Sequence, residues 1–247
     1  MALYQINISY DGSDYHGYQR QKDQRTVQRE IENALKKTGW LEDSIISAGR
    51  TDAGVHADEQ IAIFHHEWEH TPNQMKKAIN AYLPHDIVVV DLKQICDNDF
   101  HPRYQAQSRI YRYQMYANEI RVPILERFYW RVWPDPDIQK MNDGAKELCG
   151  NHNFRLFGKP YKPDGRTERI VWYAMWERED GSPPILTFRI EANSFLYHMV
   201  RRIVFILIRV GQGKIKLSEV TNALEGIDNL PPGIAPAKGL FLEKITY

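Results

Sequence analysis

Tyr4, Ile6, Ile8 and Tyr10 fall on alternate positions, so they share one face of a strand. The order of elements that this period-two segment begins narrows the possible folds more than any other feature of the chain. After a polar loop, Thr26 stands as the N-cap of a helix with Val27, Ile31, Ala34 and Leu35 on its inner side, closed by Gly39. A short strand near 44–48 and a strand at about 59–66 come next. Thr71-Pro72 pairs an N-cap with an N1 proline and opens a second helix, whose inner face is Met75, Ile79 and Leu83. Ile87 to Leu92 reads as a buried strand. The order is βαββαβ, that of a ferredoxin-like unit.

The rest of the chain repeats this order with insertions. Strands are expected at about 103–117 and 126–133, and a helix from after Pro136 to Gly150. Strands at about 168–178 and 185–192 precede a strongly apolar helix from Ser194 to Arg209. A short helix after Ser218 and a strand from Gly239 to Thr246 complete it. The expected class is therefore α+β: two ferredoxin-like halves sharing a mixed, mainly antiparallel sheet with helices on one side. The halves are expected at 1–99 and 100–247, divided at the polar stretch Asp97-Asn98-Asp99.

Composition excludes several classes. With 247 residues, 43% hydrophobic and 26% charged, the chain has the make-up of an ordinary soluble protein. Its first residues, MALYQINISYDG, alternate like a strand and lack the basic and apolar regions of a signal peptide. No stretch approaches the roughly 20 apolar residues that span a bilayer. Cys96 and Cys149, two and far apart, fit a reducing cytoplasm better than a disulfide framework. Basic and acidic residues balance at 32 each, which removes the simplest argument for a nucleic-acid partner. Their distribution restores part of it. Residues 100–131 hold six arginines against Glu119 and Glu126, and residues 195–216 hold five basic residues and no acid. Such blocks are commonly solvated faces.

Four motifs bear on chemistry. His66-Glu67-Trp68-Glu69-His70 matches the zincin pattern, but that chemistry needs both histidines on one helix face, and here a strand precedes and an N-cap follows. Gly211-Gln212-Gly213-Lys214 is no phosphate-binding loop, because the first glycine of that pattern would fall on Ile208; it reads as a helix C-cap. In Arg109-Ile110-Tyr111-Arg112-Tyr113-Gln114-Met115-Tyr116, Tyr111, Tyr113 and Met115 share one strand face. They form either aromatic core or a platform on which bases stack while arginines meet phosphates. In AGRTDAGVHA, Asp52 sits between Gly49 and Gly54, with backbone freedom on both sides. It serves there either as a turn cap or as a catalytic carboxylate.

AGRTDAGVHA, with Tyr10-Asp11-Gly12, Gly17-Tyr18-Gln19-Arg20-Gln21 and Thr26-Val27-Gln28, resembles the TruA family of tRNA pseudouridine synthases. The resemblance continues through FHPRY at 100–104, SRIYRY at 108–113, FLYHMVR at 195–201 and GLFL at 239–242, so it spans nearly the whole chain. It implies isomerisation of uridine to pseudouridine in the anticodon stem-loop of tRNA, at positions 38 to 40, without metal or organic cofactor. It also implies a cytoplasmic homodimer whose two halves form one extended sheet. Asp52 matches the catalytic aspartate, Tyr111 the active-site tyrosine, Arg201 the cation beside the aspartate, and Arg50 the residue that holds the displaced nucleotide. By charge, Arg103, Arg109, Arg112 and Arg202 are candidate phosphate contacts. The chain departs from the family pattern at Tyr18, where Trp is usual, and at Ala192, where Gly is frequent. Phe205-Ile206 replaces a pair of small residues, and Pro102 interrupts a run that usually contains Ala.

The reaction breaks the bond from C1′ to N1, turns the uracil and rejoins C1′ to C5. A carboxylate can attack C1′ or take the C2′ proton, and residue types alone allow both. Burial by itself would neutralise such a carboxylate, so a cation is expected near it. Two other classes compete: a non-catalytic RNA-binding or chaperone protein on the same fold, and an aspartate- or zinc-dependent hydrolase resting on Asp52 or on His66 and His70.

Overall fold

The computed structural model describes every residue except Asn98, Pro163 and Asp228. Two compact units are formed, one of Met1–Gln107 with Phe241–Tyr247, the other of Ser108–Leu240. The polar stretch expected to divide the halves includes Asn98, which lies outside the described residues.

In the first unit, β1 (Ala2–Tyr10), α1 (Val27–Lys37), β2 (Ile46–Ser47), β3 (His56–His66), α2 (Pro72–Tyr82) and β4 (Ile87–Ile95) follow the expected βαββαβ order. β1 runs antiparallel between β3 and β4, and Tyr4, Ile6, Ile8 and Tyr10 are all buried, as their spacing requires. The inner face of α1 is the expected one. α2 opens on a reciprocal capping box, with Gln74 N–H donating to Thr71 Oγ1 and Thr71 N–H to Gln74 Oε1.

Four expectations change. Thr26 is the N-cap of α1, but its buried hydroxyl caps nothing. The first helical N–H groups go instead to loop carbonyls, Val27 N–H to Gly17 and Gln28 N–H to Tyr18. β4 is not buried throughout: it lies at the sheet edge, so Val88 and Val90 are exposed between buried Ile87, Val89 and Leu92. The strand expected near 44–48 shrinks to two residues, with Ile46 opposite Ile63 and Ser47 opposite Ala62. Beyond Ser47 the chain leaves the sheet. The rest of that β3 edge is taken by the last strand, β10 (Leu240–Thr246), which runs parallel to β3 with Phe241 opposite His56 and Leu242 opposite Ala57. β3 therefore begins at His56, earlier than its own pattern suggests.

In the second unit, β5 (Ser108–Ala117), β9 (Ile185–Ala192), β8 (Glu168–Glu179) and β7 (Gly150–Asn153) pair antiparallel in that spatial order, and β6 (Trp130–Val132) pairs parallel with β5. Leu186, Phe188, Ile190 and Ala192 line the buried face of β9. α3 (Ile138–Glu147) packs on β8 and on α4 (Met199–Gly211), and α5 (Leu217–Glu225) packs on α3. Asp137 caps α3 by accepting from Gln139 and Lys140 N–H. Local turns trim the expected strands. β5 waits until Ser108 because Gln105 N–H bonds back to His101, and β6 is short because residues 122–129 coil through Leu125 N–H to Val122 and Tyr129 N–H to Leu125. α4 starts at Met199, after His198 in the left-handed region at φ 65°. β7 was hidden by its polar sequence, Gly-Asn-His-Asn. Both units belong to the expected α+β class, with mainly antiparallel pairing and the parallel pairs β3–β10 and β5–β6. No helix among the described residues is long and apolar enough to cross a membrane.

Candidate active site

The loop between Ser47 and β3 carries Asp52, and the first unit grips that loop by its backbone. Ala48 N–H donates to the Ile61 carbonyl, and Gln60 Nε2 donates to the Gly49 carbonyl at 3.2 Å. Thr51 is buried; its Oγ1 lies 2.8 Å from the Tyr10 hydroxyl, and its carbonyl accepts from Tyr18 N–H at 3.1 Å. Gly54 N–H reaches the Tyr15 carbonyl at 3.3 Å, and Val55 N–H closes a turn on the Asp52 carbonyl at 3.2 Å. Within this frame Asp52 is half-buried, while Arg50 and Ala53 are exposed. Burial pushes the Tyr10 phenol far above its ordinary value, with Thr51 and Gln60 opposing, so Tyr10 stays protonated at neutral pH.

The glycines flanking Asp52 are not equivalent. Gly54 adopts φ 75°, a conformation that favours glycine. At Gly49 the backbone is ordinary and an added Cβ would meet nothing within 4 Å. Close approach is demanded elsewhere: a Cβ at Gly12 would lie 2.0 Å from the Val55 carbonyl oxygen, and one at Gly17 2.9 Å from that of Thr51. The segment 11–18 thus lies directly against 51–55, which gives Tyr10-Asp11-Gly12 and Gly17-Tyr18 a physical role.

That segment is braced in turn. Tyr15 donates its hydroxyl to Asp86, Arg25 Nη2 sits 3.0 Å from Asp86 Oδ2, and the Arg25 guanidinium lies 4.2 Å from the Tyr15 ring centroid. On α1, buried Gln28 accepts from Arg20 N–H and donates to Glu32 and Ser44, while Glu32 takes Arg20 Nη1 at 2.8 Å. Every polar group of Gln28 and Glu32 faces a partner, as burial requires.

Tyr111, Arg109, Arg112, Arg201 and Arg202 belong to the second unit; Asp52, Arg50 and Arg103 belong to the first. The aromatic stripe of β5 divides. Tyr113 and Met115 are wholly buried, Tyr113 donating to the Pro236 carbonyl at 2.9 Å, while Tyr111 is half-buried with its ring edge-on to Phe195 at 5.1 Å. Burial holds the Tyr113 phenol well above its ordinary value, and the nearby charge of Arg201 opposes this. Arg201 and Arg202 occupy the first turn of α4, where a helix disfavours positive charge and which holds no acidic residue of its own. Backbone carbonyls accept from both. Arg202 donates to those of Pro231, Gly233 and Leu230, and Arg201 Nε to that of Ala235 at 2.8 Å. Ala235 N–H returns to the Arg201 carbonyl.

Arg109 Nη1 reaches the Asn193 carbonyl at 2.7 Å, Arg112 is half-buried on β5, and Arg103 is exposed in the turn before it. Elsewhere in the basic blocks, Arg131 bonds to the Glu119 carbonyl and Arg209 lies over Phe205. The zincin-like segment is not helical: His66 ends β3 beside the Thr38 hydroxyl, and Trp68 packs between it and His70. Gln212 is the C-cap of α4 and Gly213 has φ 69°, the expected helix end. The residues that hold the loop, Tyr10, Gly12, Gly17, Thr51 and His56, lie inside the matched motifs, but nothing in their spacing reveals their contacts.

A family described as tRNA pseudouridine synthase matches residues 6–105 and 145–247. The chain is 39% identical over 243 residues to tRNA pseudouridine synthase A of Thermoanaerobacter sp. (strain X514), covering 98% of each chain. It is 36% identical to the protein of that name in Acetivibrio thermocellus and 34% identical to tRNA pseudouridine synthase A 2 of Clostridium perfringens, covering all of each. The chain belongs to the tRNA pseudouridine synthase family.

Proposed function

We propose that this protein isomerises uridine to pseudouridine in the anticodon stem-loop of tRNA, at positions 38 to 40, with Asp52 as its catalytic carboxylate. The observation that carries this reading is the asymmetry of the 48–56 loop: Thr51, Val55 and His56 are buried, while Asp52 and Arg50 keep contact with solvent. A turn cap needs no such frame. A carboxylate that must meet a sugar without rearranging does, because misplacement by about 1 Å costs on the order of 100-fold in rate.

In this reading Asp52 engages the ribose of the flipped uridine, by attack at C1′ or by taking the C2′ proton. The N1–C1′ bond breaks, the uracil turns, C5 bonds to C1′, and the C5 proton leaves as N1 gains one. Tyr111, the accessible end of an otherwise buried stripe, stacks on the uracil, and Arg201 supplies the cation for the carboxylate. Extruding the base costs a few kcal/mol, and Arg50 offsets part of this by holding the displaced nucleotide. Arg103, Arg109 and Arg112 meet phosphates; Arg202 serves chiefly as a brace, since carbonyls take its guanidinium. No metal or organic cofactor takes part, and the enzyme works as a cytoplasmic homodimer.

Tritium release from tRNA labelled at uracil C5 tests the reading. Release by the wild type, insensitive to chelator and abolished in Asp52→Asn, is the expected result. Unchanged turnover in Asp52→Asn removes Asp52 from the chemistry. No release from any tRNA by the wild type favours a binding protein, and loss with chelator favours a metal-dependent reaction.

A further inference from the structure

We propose that His56 is a positioning residue for this reaction, holding Asp52 through the loop it follows; the inference rests on the function proposed above. His56 is wholly buried at the first position of β3. Its Nδ1 lies 3.0 Å from the Gly12 backbone nitrogen. Asp11 Oδ1 lies 3.1 Å from the same Nδ1 and takes the N–H and hydroxyl of Ser13. The imidazole stacks on Phe241 with centroids 4.6 Å apart and planes 24° apart.

Three segments distant in sequence therefore meet on one imidazole: the turn after β1, the end of the Asp52 loop, and the last strand. Gly12 couples the ring to the carboxylate. Its Cα faces the Val55 carbonyl so closely that no side chain fits, and Val55 N–H closes the turn on Asp52. A displacement of Gly12 is transmitted through Val55 to Asp52 across two backbone contacts. A phenylalanine would stack on Phe241 equally well, so packing alone does not call for histidine. Nδ1 does, because it is the polar atom on which the Gly12 N–H and the Asp11 carboxylate converge, and its removal leaves both without it.

His56→Phe keeps the stack and removes Nδ1; His56→Asn places a polar amide near the position of Nδ1. Tritium release under saturating tRNA, KM and tRNA binding are measured on folded protein. Expected are a kcat lowered roughly 50-fold in His56→Phe with KM and tRNA affinity within about twofold of wild type, and recovery of at least about fivefold in His56→Asn. If His56→Phe does not fold, His56→Asn against His56→Leu carries the same comparison. A wild-type kcat with only a lowered melting temperature, or no recovery in His56→Asn, overturns the proposal. Absence of tritium release by the wild type overturns the functional reading and this inference with it, and is told apart by the wild-type control.

Discussion

The Asp52 loop in the first unit and the start of α4 in the second both present a polar side chain, and they do so by different means. In the loop, backbone holds backbone: carbonyls and N–H groups of 12–18 pair with those of 51–55, and glycines remove the side chains that would separate them. At α4, a side chain holds backbone: Arg202 gathers the carbonyls of 230–233 next to Arg201. The first arrangement tolerates no added atom at Gly12. The second depends on one long side chain and so fails by deletion rather than insertion.

The sharpest way to break this contrast is Gly12→Ala. Its Cβ would collide with a backbone oxygen that has nowhere to go, so a loss of about 3 kcal/mol is expected in urea unfolding, against about 0.5 kcal/mol or less for Gly49→Ala. Arg202→Ala is expected to cost about 2 kcal/mol by stranding carbonyls, and to lower melting more than turnover per folded molecule. Arg201→Ala should do the reverse, losing turnover beyond any loss of tRNA affinity. Equal stability of the two arginine variants would erase the distinction between brace and functional cation.

The smallest expected effect concerns the second unit's insertion. Glu126 receives the Tyr116 hydroxyl and lies 2.6 Å from Lys238 Nζ. Burial alone would raise the Glu126 pKa, but Lys238 and Tyr116 outweigh it and hold the carboxyl below its ordinary 4.5. Because the folded pKa is the lower one, the contribution is present above about pH 4.5 and is lost as pH falls toward the folded value. Glu126→Gln should remove this acid dependence, at a cost of less than about 1 kcal/mol at pH 7, read from melting temperatures across pH 3 to 7.

Elements whose partners lie nearby in the chain were legible in the sequence. The alternation of β1, the cap and proline of α2 and the apolar face of α1 each carry a local signal, and each forms as expected. What was not legible depends on distant partners. β3 starts at His56 because residues near the other end of the chain pair with it, and Thr26 needs no cap bond because Gly17 and Tyr18 supply the carbonyls. Asp52 and Tyr111 stood out through their motifs. The inequality of Gly49 and Gly54 did not, since it lies in a dihedral angle and a contact rather than in residue type. The basic blocks read as charge, whereas several of their arginines are committed to carbonyls and rings. One departure from the family pattern also has a local answer: the Phe205 ring is met by Gly233, where a Cβ would come within 2.4 Å of it.

The pairing of β10 with β3 has a consequence for folding. Phe241 and Leu242 are far along the chain from β3, yet they complete the sheet edge from which the Asp52 loop departs. That edge is closed only when the two distant segments have met, a non-local contact of the kind that forms late and slowly.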